Sequence, residues 1–477
     1  MRFTSLLAVP LFALAGCTVG PDYKKPPEVA MAVNWSESAS TAPVDPAWWR
    51  RLGDPVLTDL LAAAAAHNLD LVVAEAQIRE ARANRDAAVG GLFPQLNASA
   101  SAARNELSAN GEIPVRSIPN FARTFNLFDA GFDASWEIDF WGGNRRSLEA
   151  ANARSAAALE AARSLKLEII AEVAHTYIDL RSAQARLASA QVDARARTDT
   201  AALVELRYKA GDASAFDQAR AESQARTVVS ELAGLQSDAR AAAYSLALLT
   251  GRPPEALIAL ADQSAAWPTT PPGIGAGLRS ELLRRRPDVR QAERDLAAST
   301  ADIGVATADL FPKISLIGAI GVQAQHTGDL TSELSQRYQY GPSLSWPIFS
   351  AGRIRAQIRA ADARADEAAA RYEKAVLSAL SDSETALNRY AAATSQLADL
   401  DAARAASAKA LELARQRYHA GEDDLLNLLD AQSDYSLTDQ ASVAARATQL
   451  TDLVSLYKAL GGGWEDPAAG TGASALQ

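Results

Sequence analysis

The sequence predicts a mainly α-helical fold in which each of two repeated halves carries two β-strands. Three observations lead to this prediction: motifs recur in the same order, two helical stretches are far longer than average, and four segments alternate between apolar and polar residues. With 48% hydrophobic and 22% charged residues among 477, the composition is that of a folded chain. The net charge of -10 argues against a nucleic-acid partner.

The internal duplication is visible in pairs of matched motifs. The stretch that starts at Leu69 and ends in LFP matches the stretch that starts at Pro287 and also ends in LFP. RYKAGD from Arg207 matches RYHAGE from Arg417, and a Trp-x-Ile motif occurs at the equivalent place in each half. The repeated unit of roughly 200 residues is far longer than the repeat of a solenoid.

Each unit is predicted to read helix, strand, strand, long helix, helix. The first helices are predicted to run without interruption, from about Thr58 to Gly91 and from about Gly277 to Leu310. The predicted boundaries are 58–251 for repeat 1 with strands at 95–104 and 125–141, 252–276 for a Pro-rich linker, 277–461 for repeat 2 with strands at 313–325 and 337–349, and 462–477 for a flexible tail.

The long helices contain no Pro or Gly until Gly211 and Gly421, which corresponds to about 100 Å each at 1.5 Å per residue. Helices of this length suggest coiled-coil packing. One set of positions in the first of them steps by four and three, as in a heptad repeat. These positions are Ile169, Val173, Thr176, Leu180, Ala183, Leu187 and Ala190. The core face of an ordinary helical bundle is the alternative, because Ala-rich helices fit many patterns.

The strand segments have one apolar, aromatic face and one polar face, because successive residues of a strand point to opposite sides. The aromatic residues expected to face lipid are Phe128, Phe132, Trp136, Phe140, Tyr340 and Trp346. The acidic residues expected to line a lumen are Asp129, Asp133, Glu137 and Asp139. Ten or more residues suit a tilted transmembrane strand, although a half-buried strand of a soluble sheet shows the same alternation.

Four such strands are too few for a closed barrel, which needs about eight or more. Because open strand edges are not viable in lipid, the chain is expected to share a barrel with copies of itself. Two chains would give eight strands with an interior filled by side chains, and three would give twelve strands with room for an open lumen.

The N-terminus predicts export and lipidation. A basic start, the apolar run from Leu6 to Leu14 and the ending LAGC form a signal peptide at 1–16 that resembles a bacterial lipobox. Cys17, the single cysteine, would carry the lipid, and 17–57 would be a lipid-anchored extended segment. A plain signal peptide with a chance cysteine is the alternative. Beyond Cys17 no apolar run of about 18 residues is found, so no transmembrane helix is expected.

Taken together, these features resemble the TolC-like outer-membrane efflux factors, especially the lipidated OprM and NodT branch. The resemblance rests on the order of elements, LAGC followed by CTVGPDYKKP, the paired LFP motifs, RYKAGD, and RYHAGEDDLLNLLDAQ, and it covers the chain from Cys17 to about Gly463. It implies a homotrimer: four strands from each protomer form a 12-stranded transmembrane β-barrel in the outer membrane of a Gram-negative bacterium. The long helices then form a coiled-coil α-helical barrel that extends into the periplasm.

The function that the resemblance implies is that of the exit channel of a tripartite efflux pump, which passes drugs and toxic compounds outward. The implied partners are a periplasmic adaptor (membrane fusion) protein, an inner-membrane transporter of the RND type and outer-membrane lipids. Such a protein is not an enzyme and needs no cofactor. A periplasmic adaptor or a structural coiled-coil lipoprotein is the alternative, and either should lack lipid-facing strands.

The resemblance also implies an iris-like periplasmic gate after each RYxxG motif, where inward-pointing carboxylates repel one another and bind cations. Asp217, Asp430 and Tyr418 match gate positions. Asn427 stands where the family has a second aspartate, and Asp423 stands where the tyrosine has an arginine partner. For each acidic residue, a solvated helix surface is the alternative. The four histidines have no metal-ligand spacing, so no metal site is expected.

Overall fold

The computed structural model describes residues 18–26, 32, 34–37, 40, 42–110, 122–263, 265–271 and 273–465. The predicted signal peptide, the lipidation site Cys17 and nearly all of the predicted tail lie outside these residues. The chain forms two compact units. Unit 1 comprises Met1–Pro27, Arg79–Ala157 and Ala292–Tyr372, and unit 2 comprises Glu28–Ile78, Ala158–Gln291 and Glu373–Gln477.

The order of elements follows the predicted duplication. The helices are α1 (Pro55–His67), α2 (Leu69–Gly90), α3 (Gly143–Ala210), α4 (Ala215–Leu249), α5 (Ile258–Ala261), α6 (Arg279–Arg285), α7 (Pro287–Ala308), α8 (Arg353–Ala420) and α9 (Leu425–Ala459). The strands are β1 (Gln95–Glu106), β2 (Thr124–Ile138), β3 (Lys313–Ala324) and β4 (Gln336–Ser345).

Four pairs of equivalent elements in the two repeats have equal lengths, whereas β2 has 15 residues against 10 in β4, and α1 has 13 against 7 in α6. Helices α3 and α8 both have 68 residues, and α4 and α9 both have 35. Helices α2 and α7 both have 22 residues, and strands β1 and β3 both have 12. The internal duplication inferred from the motifs is therefore present in the fold, and positions can be compared between repeats residue by residue.

The RYxxG motif is the C-terminal cap of each long helix. Gly211 and Gly421 adopt left-handed backbone conformations, with φ of 85° and 74°. The amide of Gly211 donates to the carbonyl of Tyr208, and the next amide donates to the carbonyl of Arg207 at 2.8 Å, which is the Schellman hydrogen-bond pattern. Arg417 and Tyr418 accept the same two bonds in repeat 2. A residue without a Cβ is favoured here because L side chains strain this conformation.

The expectation of one unbroken first helix per repeat is wrong. Asn68 separates α1 from α2, and Arg286 separates α6 from α7; both have extended backbones, with ψ of 130° and 121°. The Asn68 side chain accepts from the amide of Asp70 and donates to the carbonyl of Leu249 at 2.9 Å. Arg286 donates to the carbonyl of Ala459 at 3.2 Å. Each break is thus fixed to the end of the last helix of its own repeat.

One helical stretch among the described residues, Pro55–Gly90, is long and apolar enough by length and composition to cross a membrane, although none was expected from the sequence. The break at Asn68 divides it. Helix α1 has 13 residues, which is too short for a span, and it buries Leu57 and Leu60 within the protein. Helix α2 is long enough but carries charged residues along its length, beginning with Asp70.

The four strands form one antiparallel sheet in unit 1, in the order β1-β2-β3-β4. The register pairs Asn97 with Asp133 across β1 and β2, and pairs Asp129 with Gln323 across β2 and β3. Strands β2 and β4 end at Ile138 and Ser345, earlier than the predicted 141 and 349. The chain makes tight backbone turns there and leaves the ladder.

The repeated LFP and tryptophan motifs are joined by equivalent hydrogen bonds. The indole of Trp136 donates to the carbonyl of Leu92 at 2.9 Å, and the indole of Trp346 donates to the carbonyl of Leu310 at 3.1 Å. Each bond ties the turn after a helix to the end of the second strand of the same repeat. The two motifs therefore recur together because they contact each other.

We predict opposite effects for two Gly-to-Ala substitutions in repeat 1. Gly211→Ala should lower the free energy of unfolding by about 1–2 kcal/mol, because alanine is strained at positive φ. Gly234→Ala should raise it by up to about 1 kcal/mol, because Gly234 lies inside α4 and its missing Cβ would meet no neighbour within 4 Å. Denaturant unfolding of the two variants checks both signs, and stabilisation by Gly211→Ala would contradict the capping role.

Candidate functional site

The residues predicted to carry function lie in two places, which are described separately. The predicted lumen and lipid-facing residues lie in or beside the sheet of unit 1, and the predicted gate residues lie in unit 2, where α3 turns into α4 and α8 turns into α9.

The register separates the residues of the sheet onto two faces, because paired residues on neighbouring strands point to the same side. One face is mainly polar on all four strands. It comprises Gln95, Asn97, Ser99 and Ser101 of β1, Asp129, Asp133, Ser135 and Glu137 of β2, Lys313, Ser315 and Gln323 of β3, and Arg337, Gln339, Ser343 and Ser345 of β4. Ile317 of β3 and, near the start of β2, Phe125 and Leu127 are apolar exceptions on this face.

The opposite face is mainly apolar and open, with the pair Arg104 and Asn126 as polar residues near one end of β1 and β2. It comprises Leu96, Phe128, Phe132, Trp136, Ile314, Leu316, Ile320, Val322, Tyr338, Tyr340 and Leu344. Phe132 is 55% exposed and Tyr340 is 83% exposed. A contiguous apolar surface of this kind marks a contact with a membrane or another protein.

The polar face is of mixed charge and is not the purely acidic surface expected from β2 alone. Arg337 binds Asp129 with two nitrogens, at 3.0 and 2.6 Å, and Gln323 donates to the same carboxylate at 2.9 Å. Asn97 donates to Asp133 at 3.1 Å. The cations come from β3 and β4, so the acidic pattern read along one strand missed them.

Three predicted residues of the sheet have other positions. Asp139 follows the end of β2, and its carboxylate accepts from the backbone amide of Arg145 at 2.9 Å near the start of α3, so it is not on the polar strand face. Phe140 lies in the same turn, and Trp346 follows the end of β4. Both aromatic rings remain exposed, but neither belongs to a strand.

At the helical turns of unit 2, a small apolar cluster packs the four long helices together. Tyr418 of α8 is 4% exposed and lies in this cluster. The Arg207 guanidinium of α3 lies 4.4 Å from the centre of its ring and donates to its carbonyl at 3.4 Å. Arg207, which begins the RYxxG motif of repeat 1, therefore lies beside this tyrosine of repeat 2. The other buried members of the cluster are Val204, Ala221, Leu411, Leu425, Leu428 and Leu429.

Asp217 takes part in the N-terminal cap of α4, whose N-cap residue is Ser214. The amide of Asp217 donates to the Ser214 hydroxyl at 3.1 Å, and the Asp217 carboxylate accepts from the Ser214 amide at 3.2 Å and from its hydroxyl at 2.7 Å. This reciprocal pattern is a capping box. The predicted gate aspartate of repeat 1 thus has a structural role that the sequence comparison did not reveal.

In repeat 2 the cap of α9 is built from different residues. Asp424 accepts from the amide of Asn427 at 3.0 Å, and the Asn427 side chain donates to Asp423 at 2.5 Å. Arg417 lies 3.6 Å from the same carboxylate. The hydrogen bond from Asn427 holds the pKa of Asp423 below its usual value. Asn427 therefore fixes the position of the acidic side chain of Asp423.

Asp430 lies opposite Arg220 of α4, with 3.7 Å between the guanidinium and the carboxylate. Both side chains are partly exposed, so this ion pair contributes at most about 1 kcal/mol to stability. Together, Arg207 and Arg220 connect the helical hairpin of repeat 1 to that of repeat 2. Neither arginine was identified as a site residue from sequence, although Arg207 begins the first RYxxG motif.

The chain combines a sheet that has one apolar and one polar face with two repeats of long helices, which is the arrangement expected of a TolC-like channel protein. The model of the outer membrane efflux protein family matches residues 60–252 and 278–462. The chain belongs to this family, and its fold is that of the TolC-like channels. It is an outer-membrane efflux channel protein, as the resemblance to the OprM and NodT branch implied.

Relatives along the whole chain support this assignment. The pyoverdine export outer membrane protein OpmQ of Pseudomonas aeruginosa is 34% identical over 89% of this chain and 88% of its own length. Nodulation protein T of Rhizobium leguminosarum bv. trifolii is 32% identical over 99% of this chain and 100% of its own. The solved structure of the outer-membrane channel OprN, at 36% identity, superposes with a TM-score of 0.86 and covers 94% of this chain and 100% of its own.

We predict that the ring of Tyr418, and not its hydroxyl, stabilises the helical turns. Tyr418→Phe should change the free energy of local opening by less than about 1 kcal/mol, because a phenyl ring keeps the packing and the contact with Arg207. Tyr418→Ala should cost about 3–5 kcal/mol, because it leaves a cavity in the cluster. Amide hydrogen exchange at these turns measures both, and equal losses would show that the hydroxyl is essential.

Proposed function

We propose that three copies of this chain form the exit channel of a tripartite efflux pump in the outer membrane of a Gram-negative bacterium. The observation that carries this proposal is the four-stranded sheet, whose apolar face is exposed and whose edge strands, β1 and β4, have no strand neighbour among the described residues. In lipid both edges must be paired. Neighbouring copies supply the partners, the apolar faces contact lipid, and the polar faces line the lumen.

Three copies are favoured over two by the size of the interior. Eight strands enclose a space that side chains fill, whereas twelve leave an aqueous lumen. The polar face carries hydrophilic residues on all four strands, including Asp133, Lys313 and Arg337, and charged residues of both signs need water around them. An adaptor or a structural lipoprotein is expected to lack lipid-facing strands, so the channel is the better interpretation of this sheet.

The duplication also specifies how neighbouring copies pair. Strand β2 of repeat 1 pairs with β3 of repeat 2 inside the chain, with Asp133 opposite Ala319. By the same rule, β4 of one copy pairs with β1 of the next. Ser343 is equivalent to Asp133, because each lies three residues before the tryptophan of its Trp-x-Ile motif. Ser101 is equivalent to Ala319, because each is the seventh residue of its strand. Ser343 is therefore expected opposite Ser101 of the next copy.

A disulfide between copies tests both the stoichiometry and the register. Ser101→Cys combined with Ser343→Cys should oxidise to covalent species of two and three chains, because paired residues bring their Cβ atoms within disulfide range. Ser101→Cys combined with Ser345→Cys is the matched control, since it is displaced by two residues and its Cβ atoms lie too far apart. Species of two chains and never three would indicate a dimer, and stronger cross-linking in the control would refute the register.

The helical turns of unit 2 are proposed as the periplasmic gate. Support comes from the resemblance in this region and from the two links, Arg207 to Tyr418 and Arg220 to Asp430, that join the hairpins. The Arg220–Asp430 pair is partly exposed and individually weak, so it can break without unfolding the helices. Opening would then separate the hairpins, and closure would restore these contacts.

For the gate we predict that Asp430→Ala and Arg220→Ala each raise the conductance of the closed channel. Each substitution removes the same ion pair, so the double variant should not exceed the larger single effect. Planar-bilayer recordings and antibiotic leakage in cells measure the change. Conductance that stays at the parent level in both single variants would remove the pair from the gate.

Asp217 needs a separate test because it also caps α4. Asp217→Ala removes the cap and the charge, whereas Ser214→Ala removes the same cap and leaves the charge. If Asp217 acts in the gate through its charge, only Asp217→Ala should raise conductance. An equal increase in both variants would assign the effect to the start of the helix and would withdraw Asp217 from the acidic ring.

The partners and the anchor follow from the same proposal. A periplasmic adaptor protein would bind the helical hairpins, an RND-type inner-membrane transporter would supply energy, and an acyl group on Cys17 would anchor the N-terminus. OpmQ is named for the export of pyoverdine. We propose small organic compounds as the cargo of this channel as well, with selection made by the transporter.

A further inference from the structure

The motif TVGPDY, which directly follows Cys17, binds to a defined site in unit 1, which we call the seat. We call Thr18–Tyr23 the strap. The amide of Val19 donates to the carbonyl of Trp141 at 3.0 Å, just after β2. From there the strap runs along the seam between the repeats, which is the line where β2 pairs with β3 and where the start of α3 meets α7.

Two glycines of the seam and one of the strap allow this close contact. A Cβ added to Gly142 would lie 2.6 Å from the Thr18 side chain. A Cβ added to Gly20 of the strap would lie 2.5 Å from the Cα of Gly304 in α7. Neither distance is compatible with a side chain. The backbone of the strap therefore lies directly on the backbone of repeat 2.

Arg146 of α3 holds the strap and is itself 3% exposed. It donates to the carbonyls of Val19 and Gly20 at 3.3 and 3.4 Å and to the carboxylate of Asp22 at 2.6 Å. Burial disfavours its charge, but Asp22 and Glu149 more than offset this, so the pKa of Arg146 lies above its usual value. One buried guanidinium thus binds three groups of the strap.

The strap also contacts repeat 2 through Tyr23, whose hydroxyl donates to Glu293 of α7 at 3.2 Å. Burial, followed by the negative charge of Glu293, raises the pKa of Tyr23 to about 12, so the hydroxyl keeps its proton. The seat therefore has one wall from repeat 1, with Gly142 and Arg146, and one from repeat 2, with Gly304 and Glu293. The strap joins the two repeats.

The duplication shows that this seat is specific. Arg146 is the fourth residue of α3, and the fourth residue of α8 is Ala356; Gly304 of α7 corresponds to Asp86 of α2. The repeat-equivalent seam, which would lie between copies, thus lacks both the guanidinium and the glycine. Of the two seams that duplication generates, only the one inside the chain has the residues that bind TVGPDY.

We propose that Thr18–Tyr23 is a strap that fixes the acylated N-terminus to the seam inside each chain, and that Arg146 is the positioning residue for the membrane anchor. Docking of the strap requires no lipid, whereas the anchoring role rests on the proposed acylation of Cys17. The acyl chain would enter the membrane beside the apolar face of β2 and β3, and it would not be free to move on a flexible tether.

The docking is tested in a Cys17→Ala protein exported with a non-lipoprotein signal peptide. Lys24→Cys then supplies the single thiol for a nitroxide, directly after the strap, and electron paramagnetic resonance reports its mobility. The label should be restricted in the parent and mobile in Arg146→Ala. Arg154→Ala is the matched control, because Arg154 of α3 also pairs across the seam, with Asp302 of α7, and touches no strap residue. It should leave the label restricted.

Gly20→Val changes the strap alone and keeps the test decisive if Arg146→Ala fails to fold. Its side chain would collide with Gly304, so the label should again become mobile. A restricted label in both Arg146→Ala and Gly20→Val would overturn the proposal, as would a mobile label in the parent.

The anchoring role is tested with Cys17 intact and a photoreactive fatty acid supplied to growing cells. Cross-links from the acyl group should map to peptides of β2 and β3 in the parent and in Arg154→Ala, and should be lost in Arg146→Ala. Cross-links that do not depend on Arg146 would overturn the positioning role. An intact mass without an acyl group would refute the proposed lipidation, and the nitroxide result would still decide whether the strap docks.

Discussion

The constraint on which the rest of the structure depends is the pairing of backbone groups in a sheet that has a lipid-compatible face. Each chain supplies four strands with an exposed apolar side and a polar side, and the strands at both edges have hydrogen-bonding groups that need partners. Water cannot satisfy these groups inside a bilayer. The proposed membrane insertion therefore requires that neighbouring copies pair with both edges of the sheet.

The internal duplication indicates how the unpaired edge strands would find their partners. Because β1 and β3 have equal lengths and the Trp-x-Ile motif recurs at the ends of β2 and β4, the pairing of β2 with β3 inside one chain is a template for the proposed pairing of β4 with β1 between chains. The two seams nevertheless differ. Arg146 and Gly304 seat the N-terminal strap at the inner seam, whereas Ala356 and Asp86 occupy the equivalent positions of the other. The two repeats thus differ at the positions that bind the strap, because the chain has only one strap.

Much of the fold was accessible from the sequence because its signals are local. Alternating residues predicted the strands, the absence of Pro and Gly predicted the long helices, and the glycine of RYxxG predicted where they end. The break at Asn68 was missed because the helical pattern continues across it; its side chain caps α2 locally and also bonds to Leu249, far away in the chain. The ends of β2 and β4 were missed because the apolar alternation continues into turns that leave the ladder.

The candidate site was harder to predict for the same physical reason. The acidic residues of β2 were visible, but the pairing of Asp129 with Arg337 depends on the register of a sheet made from both repeats. Likewise, motif matching placed Asp217, Asp430 and Tyr418 at the helical turns but could not show that Asp217 caps a helix or that Arg207 covers Tyr418. The sequence of one segment shows which residue types it carries, whereas the side chains that these residues contact come from other segments of the chain.

The most direct test of the central claim is the native mass of the Cys17→Ala protein extracted from outer membranes. If the strands themselves require sister copies in the bilayer, the protein should remain in the membrane fraction after high-salt and carbonate washing and should have the mass of three chains. A soluble single chain, released once its acyl group is missing, would contradict the account.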